Sequence, residues 1–118
     1  MKRVFVGMPA FEREWVRLGL DDELRRSLEQ TLLQNPMAGV LLQETGGIRK
    51  VRHALPGRGK SGSIRVFYYD YVAIKHLFFL AVIKKTQQEN LGKAERQELK
   101  QLIEAVIKSY ESKRRRRK

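Results

Sequence analysis

The sequence predicts an α+β domain in which a mainly antiparallel four-stranded sheet packs against helices. Three observations favour this class: two amphipathic helix patterns before residue 36, three successive strand patterns between residues 48 and 83, and a longer helix pattern near the C-terminus. With one short strand at the N-terminus, the predicted order is β-α-α-β-β-β-α. The 118 residues are enough for one hydrophobic core and too few for two.

One strand and two helices are predicted in the N-terminal third. β-branched and aromatic residues over Arg3 to Val6 are typical of a strand, which Gly7 and Pro9 end. An aspartate at position 21 or 22 caps the second helix, and Asn35-Pro36 ends it. The two helices are marked by apolar residues about one turn apart, namely Phe11, Trp15 and Leu18, then Leu24, Leu28 and Leu32.

Three further strands are predicted in the middle of the chain. Ile48 to Leu55 (IRKVRHAL) and Ser63 to Tyr71 alternate in polarity and are joined by the glycine-rich loop Pro56 to Gly62. Ala73 to Ile83 is apolar at consecutive positions, as expected for a central strand that is covered on both faces. The hairpin between the last two strands is predicted near Asp70 to Val72.

The C-terminal element is predicted to be an amphipathic helix followed by a basic tail. Its apolar stripe consists of Leu99, Leu102, Ile103, Val106, Ile107 and Tyr110. The six cations of Lys113 to Lys118 (KRRRRK) have no apolar partner, so we expect a single domain over residues 1–112 and a disordered tail over 113–118.

The composition indicates a basic intracellular protein. Lys and Arg number 25 against 13 Asp and Glu, which gives a net charge of +12 and favours a polyanionic partner. Cysteine is absent, so the sequence offers no disulfide or thiolate metal site. The longest apolar run, Leu77 to Ile83, is far shorter than the roughly 20 residues of a membrane-spanning helix. We therefore expect a cytoplasmic protein without membrane contact.

The usual catalytic side chains are few. His53 and His76 show no metal-ligand spacing, and both fall in predicted strands, where a structurally hydrogen-bonded imidazole is the commoner outcome. Carboxylates concentrate in the helices, where they are typical of caps and solvated faces. The sequence thus predicts neither a metal site nor a cofactor.

Cations are concentrated on the predicted strands instead. Lys50 and Arg52 share a face, and Arg65 lies on the next strand. If the strands pair in sequence order, these cations meet in one cluster with Arg58 and Lys60 of the loop and with Lys84 and Lys85 at the end of the last strand. A solvated sheet face whose charges block edge pairing is the structural alternative.

A cluster of this kind suits a phosphodiester ligand. Guanidinium groups clamp a phosphate bidentately and stabilise the extra charge of a pentavalent transition state. RNA carries its own nucleophile, the 2′-hydroxyl group. Because neighbouring cations disfavour the charged form of an amine, Lys50 or Lys85 is a candidate general base. The aromatic run Phe67 to Tyr69 could stack on unpaired bases, although strand aromatics are more often core residues.

The order of elements and two segments resemble the RelE/HigB family of type II toxin–antitoxin toxins, in particular its HigB branch. The segments are NPMAGVLLQETGGIRKVRHALPGRGKSGSIRVFYY, its most specific parts GGIRKVR and GRGKSGSIRVFYY, and VIKK at the end of the fourth strand. The resemblance implies a RelE-like fold and a metal-independent endoribonuclease, an mRNA interferase that cleaves mRNA in the ribosomal A site and so inhibits translation. It also implies a cognate helix-turn-helix, HigA-like antitoxin and a heterotetrameric toxin–antitoxin complex that binds operator DNA.

Carried over by position, the resemblance assigns two sets of residues. The catalytic set is Lys50, Arg52, Arg65 and Lys85, and the RNA-binding set is Arg49, Arg58, Lys60, Lys84 and Tyr69. Some RelE-type members have an arginine and a later tyrosine where this chain has Thr86 and Gly92. The role of that tyrosine is therefore not transferable, and Tyr68 or Tyr69 is only a conjectural substitute.

Two other functions remain open from the sequence. The same fold resembles ParE toxins, which poison DNA gyrase without cleaving RNA, but the catalytic cations Lys50, Arg52 and Arg65 argue against that class. A plain RNA- or ribosome-binding module would need only the basic body and tail. Loss of cleavage on replacement of Arg65 distinguishes the nuclease from both.

Overall fold

A five-stranded sheet with helices on both faces forms the centre of the molecule. The structure is a computed structural model that describes residues 2–55, 62–85 and 90–116. In chain order the elements are β1 Val4–Gly7, α1 Pro9–Arg17, α2 Asp22–Gln34, β2 Val40–Leu41, β3 Arg49–Ala54, β4 Ser63–Tyr71, β5 His76–Lys84 and α3 Lys93–Arg116.

The sheet has the strand order β1-β5-β4-β3-β2 and is mainly antiparallel. Only the pairing of β1 with β5 is parallel among the described strands. A one-residue register shift occurs in the β4–β5 ladder, where Phe67 pairs with Ala81 and Tyr68 pairs with Phe79. The predicted α+β class and the mainly antiparallel sheet are therefore confirmed.

Two details of the predicted sheet are wrong. The sheet has a fifth strand, β2, in a segment predicted to be a loop, because two paired residues leave no periodic signal in the sequence. The last strand begins at His76 rather than Ala73, since Val72–Ile74 form a single 3-10 turn and Lys75 adopts a left-handed conformation with φ of 56°. Ala73 and Ile74 are apolar like the strand that follows, so the sequence pattern places the start of the strand too early.

Each face of the sheet has its own hydrophobic core. On the first face, which we call the hairpin face, α1 and α2 bury Phe11, Trp15, Leu28 and Leu32 against strand residues such as Val66. On the second face, the α3 face, α3 and Leu91 pack against Ile48, which precedes β3, and against strand residues including Phe67, Phe78 and Leu80. The two faces explain why β5 is apolar at consecutive positions.

Local sequence signals account for the helix boundaries. Pro9 occupies the first turn of α1, where a missing N–H costs nothing. The carboxylate of Asp21 accepts the Leu24 N–H at 2.8 Å, which confirms the predicted cap of α2. At the start of α3, Glu95 Oε1 accepts the Gly92 N–H at 2.9 Å, which is one half of a capping box.

The C-terminal helix continues beyond the predicted end of the domain. α3 extends to Arg116, so the backbone is helical over four of the six residues expected to form a disordered tail. Lysine and arginine are good helix formers, and cations near a helix C-terminus are favoured by the helix dipole. Within the described ranges, no helix combines the length and apolarity needed to cross a membrane.

Candidate nucleic-acid interface

The register of β3 and β4 brings three cations together on the α3 face. Arg52 lies directly opposite Arg65, and Lys50 lies opposite Phe67. Directly opposed residues of an antiparallel pair share a face, with Cβ atoms about 5 Å apart. Since Lys50 and Arg52 are two residues apart, all three side chains leave the same side of the sheet. We call Lys50, Arg52, Arg65 and Lys85 the basic cluster.

Arg65 is the fixed member of this cluster. Its side chain is only 1% exposed, and Arg65 Nη1 donates to Ser63 Oγ at 2.6 Å. Ser63 is also buried and lies two residues away on the same face of β4. A charge in a weakly screened environment acts over a longer distance than a solvated one. Sequence reasoning missed Ser63, although its i, i+2 spacing to Arg65 was a signal.

The other members of the basic cluster are more accessible. Arg52 is exposed and Lys50 is half-buried. Lys85 is exposed just after β5, and its N–H donates to Ser63 O at 3.2 Å. This bond continues the β4–β5 ladder two pairs beyond Arg65 and Ile83. The cluster therefore lies at one end of the α3 face, with Arg52 and Lys85 presented to solvent and Arg65 beneath.

Two predicted RNA-binding residues lie on the hairpin face instead. Arg49 precedes Lys50 and so points to the opposite side, where its Nη1 donates to Gly39 O at 2.8 Å. Lys84 is paired with Ile64 and lines a cleft of about 270 Å³ beside Leu24. The period-2 alternation of strands separates both residues from the basic cluster.

The neighbouring tyrosines have different environments. Tyr69 is half-buried on the α3 face, four residues along β4 from Arg65, and burial raises the pKa of its phenol. Tyr68 is fully buried on the hairpin face, where its hydroxyl donates to Pro36 O at 2.6 Å and accepts the Gly39 N–H at 3.0 Å. Burial, the largest cause, also raises the pKa of Tyr68. Tyr68 thus has a structural hydroxyl, and Tyr69 is the only one of the two that shares a face with the cluster.

Neither histidine is placed to act together with the basic cluster. His53 is on the hairpin face, with Nε2 3.2 Å from Ser27 Oγ, and burial lowers its pKa. His76 Nδ1 donates to Ile74 O at 2.8 Å, and its ring packs on Tyr110. His76 is seven residues along β5 from Ile83, the partner of Arg65, which is roughly 23 Å.

Groups with metal-binding chemistry are not assembled in the described part of the chain. No set of three or more His, Cys, Asp and Glu side chains there is placed to hold a metal ion. The groups gathered at the cluster are cations, which suit an anionic ligand. The loop cations Arg58 and Lys60, and also Thr86, lie outside the described residues.

Comparisons with known proteins identify a family and a similar fold. A family model described as the RelE toxin of the RelE/RelB toxin–antitoxin system matches residues 10–116. The fold is similar to a solved structure of the E. coli toxin RelE, a double arginine-to-alanine mutant in the free state, with a TM-score of 0.53 and 19% identity. That match covers 75% of this chain and 90% of the other.

Proposed function

Because this chain belongs to the RelE family of toxins from toxin–antitoxin systems, we propose that it is a metal-independent endoribonuclease that cleaves mRNA in the ribosomal A site. Such cleavage would stop translation in the bacterial cytoplasm. The HigB branch, suggested by GGIRKVR and GRGKSGSIRVFYY, stays a prediction.

The observation that carries this proposal is the pairing of Arg52 with Arg65 across two strands, with Lys50 beside them. Like charges on opposed residues repel each other, and both attract an anionic ligand that binds beside them. A phosphodiester supplies that anion. In a transition state with an extra negative charge, preorganised cations contribute more than they do in the ground state.

The reaction that fits this cluster is attack by the RNA 2′-hydroxyl group on the adjacent phosphorus. The bond between the 2′ oxygen and phosphorus forms while the bond to the 5′ oxygen breaks. The 5′ oxygen takes a proton from solvent, which leaves a 2′,3′-cyclic phosphate and a 5′-hydroxyl end. Arg52 is exposed and is assigned to clamp the phosphate oxygens. Arg65 adds charge from beneath the surface. Lys50 or Lys85 is assigned to accept the 2′-hydroxyl proton.

The remaining assignments concern binding. Tyr69, on the same face as the cluster, is assigned to contact a base of the single-stranded mRNA. Arg58 and Lys60 are assigned to the RNA backbone from the sequence alone. A helix-turn-helix, HigA-like antitoxin is the proposed partner, and the two proteins are proposed to form a heterotetramer that binds operator DNA.

The proposed function is tested by adding purified protein to a translating extract and mapping new mRNA 5′ ends by primer extension. We expect new ends with the wild-type protein. We expect a loss of about 100-fold or more in cleavage with Arg52→Ala or Arg65→Ala, a magnitude typical of lost transition-state donors. Lys50→Ala is expected to behave in the same way.

Arg26→Ala is the matched control, because Arg26 is an exposed cation on α2, which packs on the hairpin face. Absence of new ends with the wild-type protein, or their persistence in all three cluster variants, would refute the nuclease. RNA binding without cleavage would identify a plain binding module. Inhibition of DNA gyrase would identify the ParE-like alternative.

A further inference from the structure

The first residue of β2, Val40, is an exposed apolar side chain beside the basic cluster. Val40 is 67% exposed, and its strand forms one edge of the sheet. Single exposed apolar residues are common on protein surfaces, so exposure alone indicates no function. The position of Val40 relative to the cations is the informative observation.

The register of β2 and β3 places Val40 on the same face as the basic cluster. Val40 lies directly opposite Lys50, as Arg52 lies opposite Arg65. Directly opposed residues of an antiparallel pair share a face, with Cβ atoms about 5 Å apart, and diagonal neighbours are about 7 to 8 Å apart. Val40 is therefore next to Lys50 and diagonal to Arg52, and all three side chains leave the α3 face.

The core of the α3 face ends before it reaches Val40. Phe67, opposite Lys50 on the other side of β3, is fully buried in that core, and Leu42, two residues after Val40, is only 8% exposed. Lys50 is half-buried, whereas Val40 and Arg52 are exposed. An apolar side chain and a cation thus lie side by side on the open margin of the face.

This pair of side chains matches the two parts of a nucleotide. A guanidinium group suits the phosphate, and an apolar side chain suits the face of an unpaired base, which single-stranded RNA turns outward for contact with proteins. Contacts to the phosphate position the strand, and contacts to the base face add affinity with little dependence on base identity.

We infer that Val40 is a base-contacting residue, which packs against the base of a nucleotide that adjoins the phosphate held by Arg52. The inference rests on the proposed function, which supplies single-stranded RNA as the ligand. It extends the site from β3 and β4 to the edge strand β2 and adds an apolar contact to a set of cations.

The neighbouring residue, Leu41, offers a matched comparison within the same strand. Leu41 is 52% exposed and lies opposite Arg49, on the hairpin face. The two residues are thus both apolar, both exposed and adjacent in the chain, but they point to opposite sides of the sheet. A contact with RNA on the α3 face involves Val40 and leaves Leu41 free.

The test measures binding of two single strands by fluorescence anisotropy. One is a 2′-O-methyl RNA, which lacks the nucleophile and cannot be cleaved, and the other is a sugar–phosphate strand of the same length without bases. We expect Val40→Ser to weaken binding of the RNA about fivefold, as for loss of one small apolar contact. Binding of the strand without bases should be unchanged. The slope of log K against log salt should also be unchanged, because no phosphate contact is removed.

Two further variants are measured in the same assay. Leu41→Ser is the matched control and is expected to bind both strands like the wild-type protein. Both serine variants should unfold at nearly the wild-type temperature, because both residues are exposed. Arg52→Ala should weaken binding of both strands and lower the salt slope by about 0.7, the value for one phosphate contact on a single strand.

Four results would overturn the inference. They are unchanged binding of the RNA by Val40→Ser, equal weakening of both strands by that variant, equal weakening by Val40→Ser and Leu41→Ser, and failure of the wild-type protein to bind the RNA. New mRNA 5′ ends in the translating extract decide the nuclease separately. Failure of the base contact and failure of the proposed function are therefore distinguishable.

Discussion

The hydroxyl group of Tyr68 holds the segment between α2 and β2 against the sheet. It bonds to Pro36 O and to the Gly39 N–H, and both contacts are buried. Arg49 holds the same segment through Gly39 O. Residues on the hairpin face thus fix the backbone beside β3. Lys50, the next residue after Arg49, and Arg65, three residues before Tyr68, lie on the α3 face.

Replacing Tyr68 by Phe should destabilise the protein by about 1 to 3 kcal/mol, because two buried polar groups lose their partner. The free energy of unfolding in urea measures this change. Tyr71→Phe is the control, since Tyr71 is buried mainly through ring contacts, and a change within about 0.5 kcal/mol is expected there. Equal unfolding midpoints for the two variants would contradict a structural role for the Tyr68 hydroxyl.

For single residues, the sequence predicts which side chains share a face of the sheet but not how deeply each side chain is buried. The period of two in β3 and β4 is sufficient to group Lys50 and Arg52 and to separate Arg65 from Tyr68. The burial of Arg65, its bond to Ser63 and the bonds of Tyr68 depend on packing between distant segments. No local pattern in the sequence encodes them.

Among the elements, β2 shows how a very short strand is positioned by its neighbours. Val40 and Leu41 pair with Lys50 and Arg49, and Gly39 passes close to the sheet just before them. A Cβ atom at Gly39 would lie 2.9 Å from Lys50 O and 2.9 Å from Tyr68 Cε1. Glycine is therefore required at position 39, because the backbone there lies too close to Lys50 and Tyr68 to leave room for a side chain.

We expect Gly39→Ala to destabilise the protein by about 1 to 3 kcal/mol, the usual cost of forcing extra atoms into a packed site. Cleavage should also fall, since Lys50 would shift with its carbonyl group. Thermal unfolding and primer extension measure the two effects. Gly92→Ala serves as the control, because its added Cβ would meet only Glu95 Oε1 at an ordinary 3.5 Å; a similar loss in both variants would argue against the close approach.

The elements that were predicted well are those with a long uninterrupted pattern. β4 has the predicted bounds Ser63–Tyr71, and α2 begins at its predicted cap. β2 was missed because two residues carry no periodicity, and the start of β5 was misplaced because Lys75 adopts φ of 56° in an apolar context. The left-handed conformation of Lys75 is set by the tight connection between β4 and β5 rather than by the type of its side chain.

For the molecule as a whole, α3 extends past its last ring contacts with the sheet. Tyr110 makes those contacts, whereas Glu111, Ser112, Lys113 and Arg114 are exposed. The basic segment Lys113 to Lys118 carries half of the net charge of +12. Lys113 and Arg114, at the Tyr110 end of α3, are remote from the basic cluster, so the basic segment is expected to attract RNA rather than take part in the chemistry.

Deletion of Lys113 to Lys118 should leave the cleavage rate on saturating ribosomes nearly unchanged. The apparent affinity should weaken at physiological salt, and its salt dependence should become shallower because fewer counterions are released. Cleavage assays at two salt concentrations measure both effects. A chain in which the same six residues are replaced by glutamine keeps the length as a control, and complete loss of cleavage in both would place the segment within the site.

The parallel pairing of β1 with β5 has a consequence for how the protein is made. Val4 pairs with His76, which is 72 residues later in the chain, and Phe5 stacks on Phe79. At about 5 to 20 residues per second, the first strand waits roughly 4 to 14 s for its partner to be synthesised. This toxin thus closes its own sheet only after most of its synthesis is complete, and a chain terminated before β5 would lack the partner strand of β1.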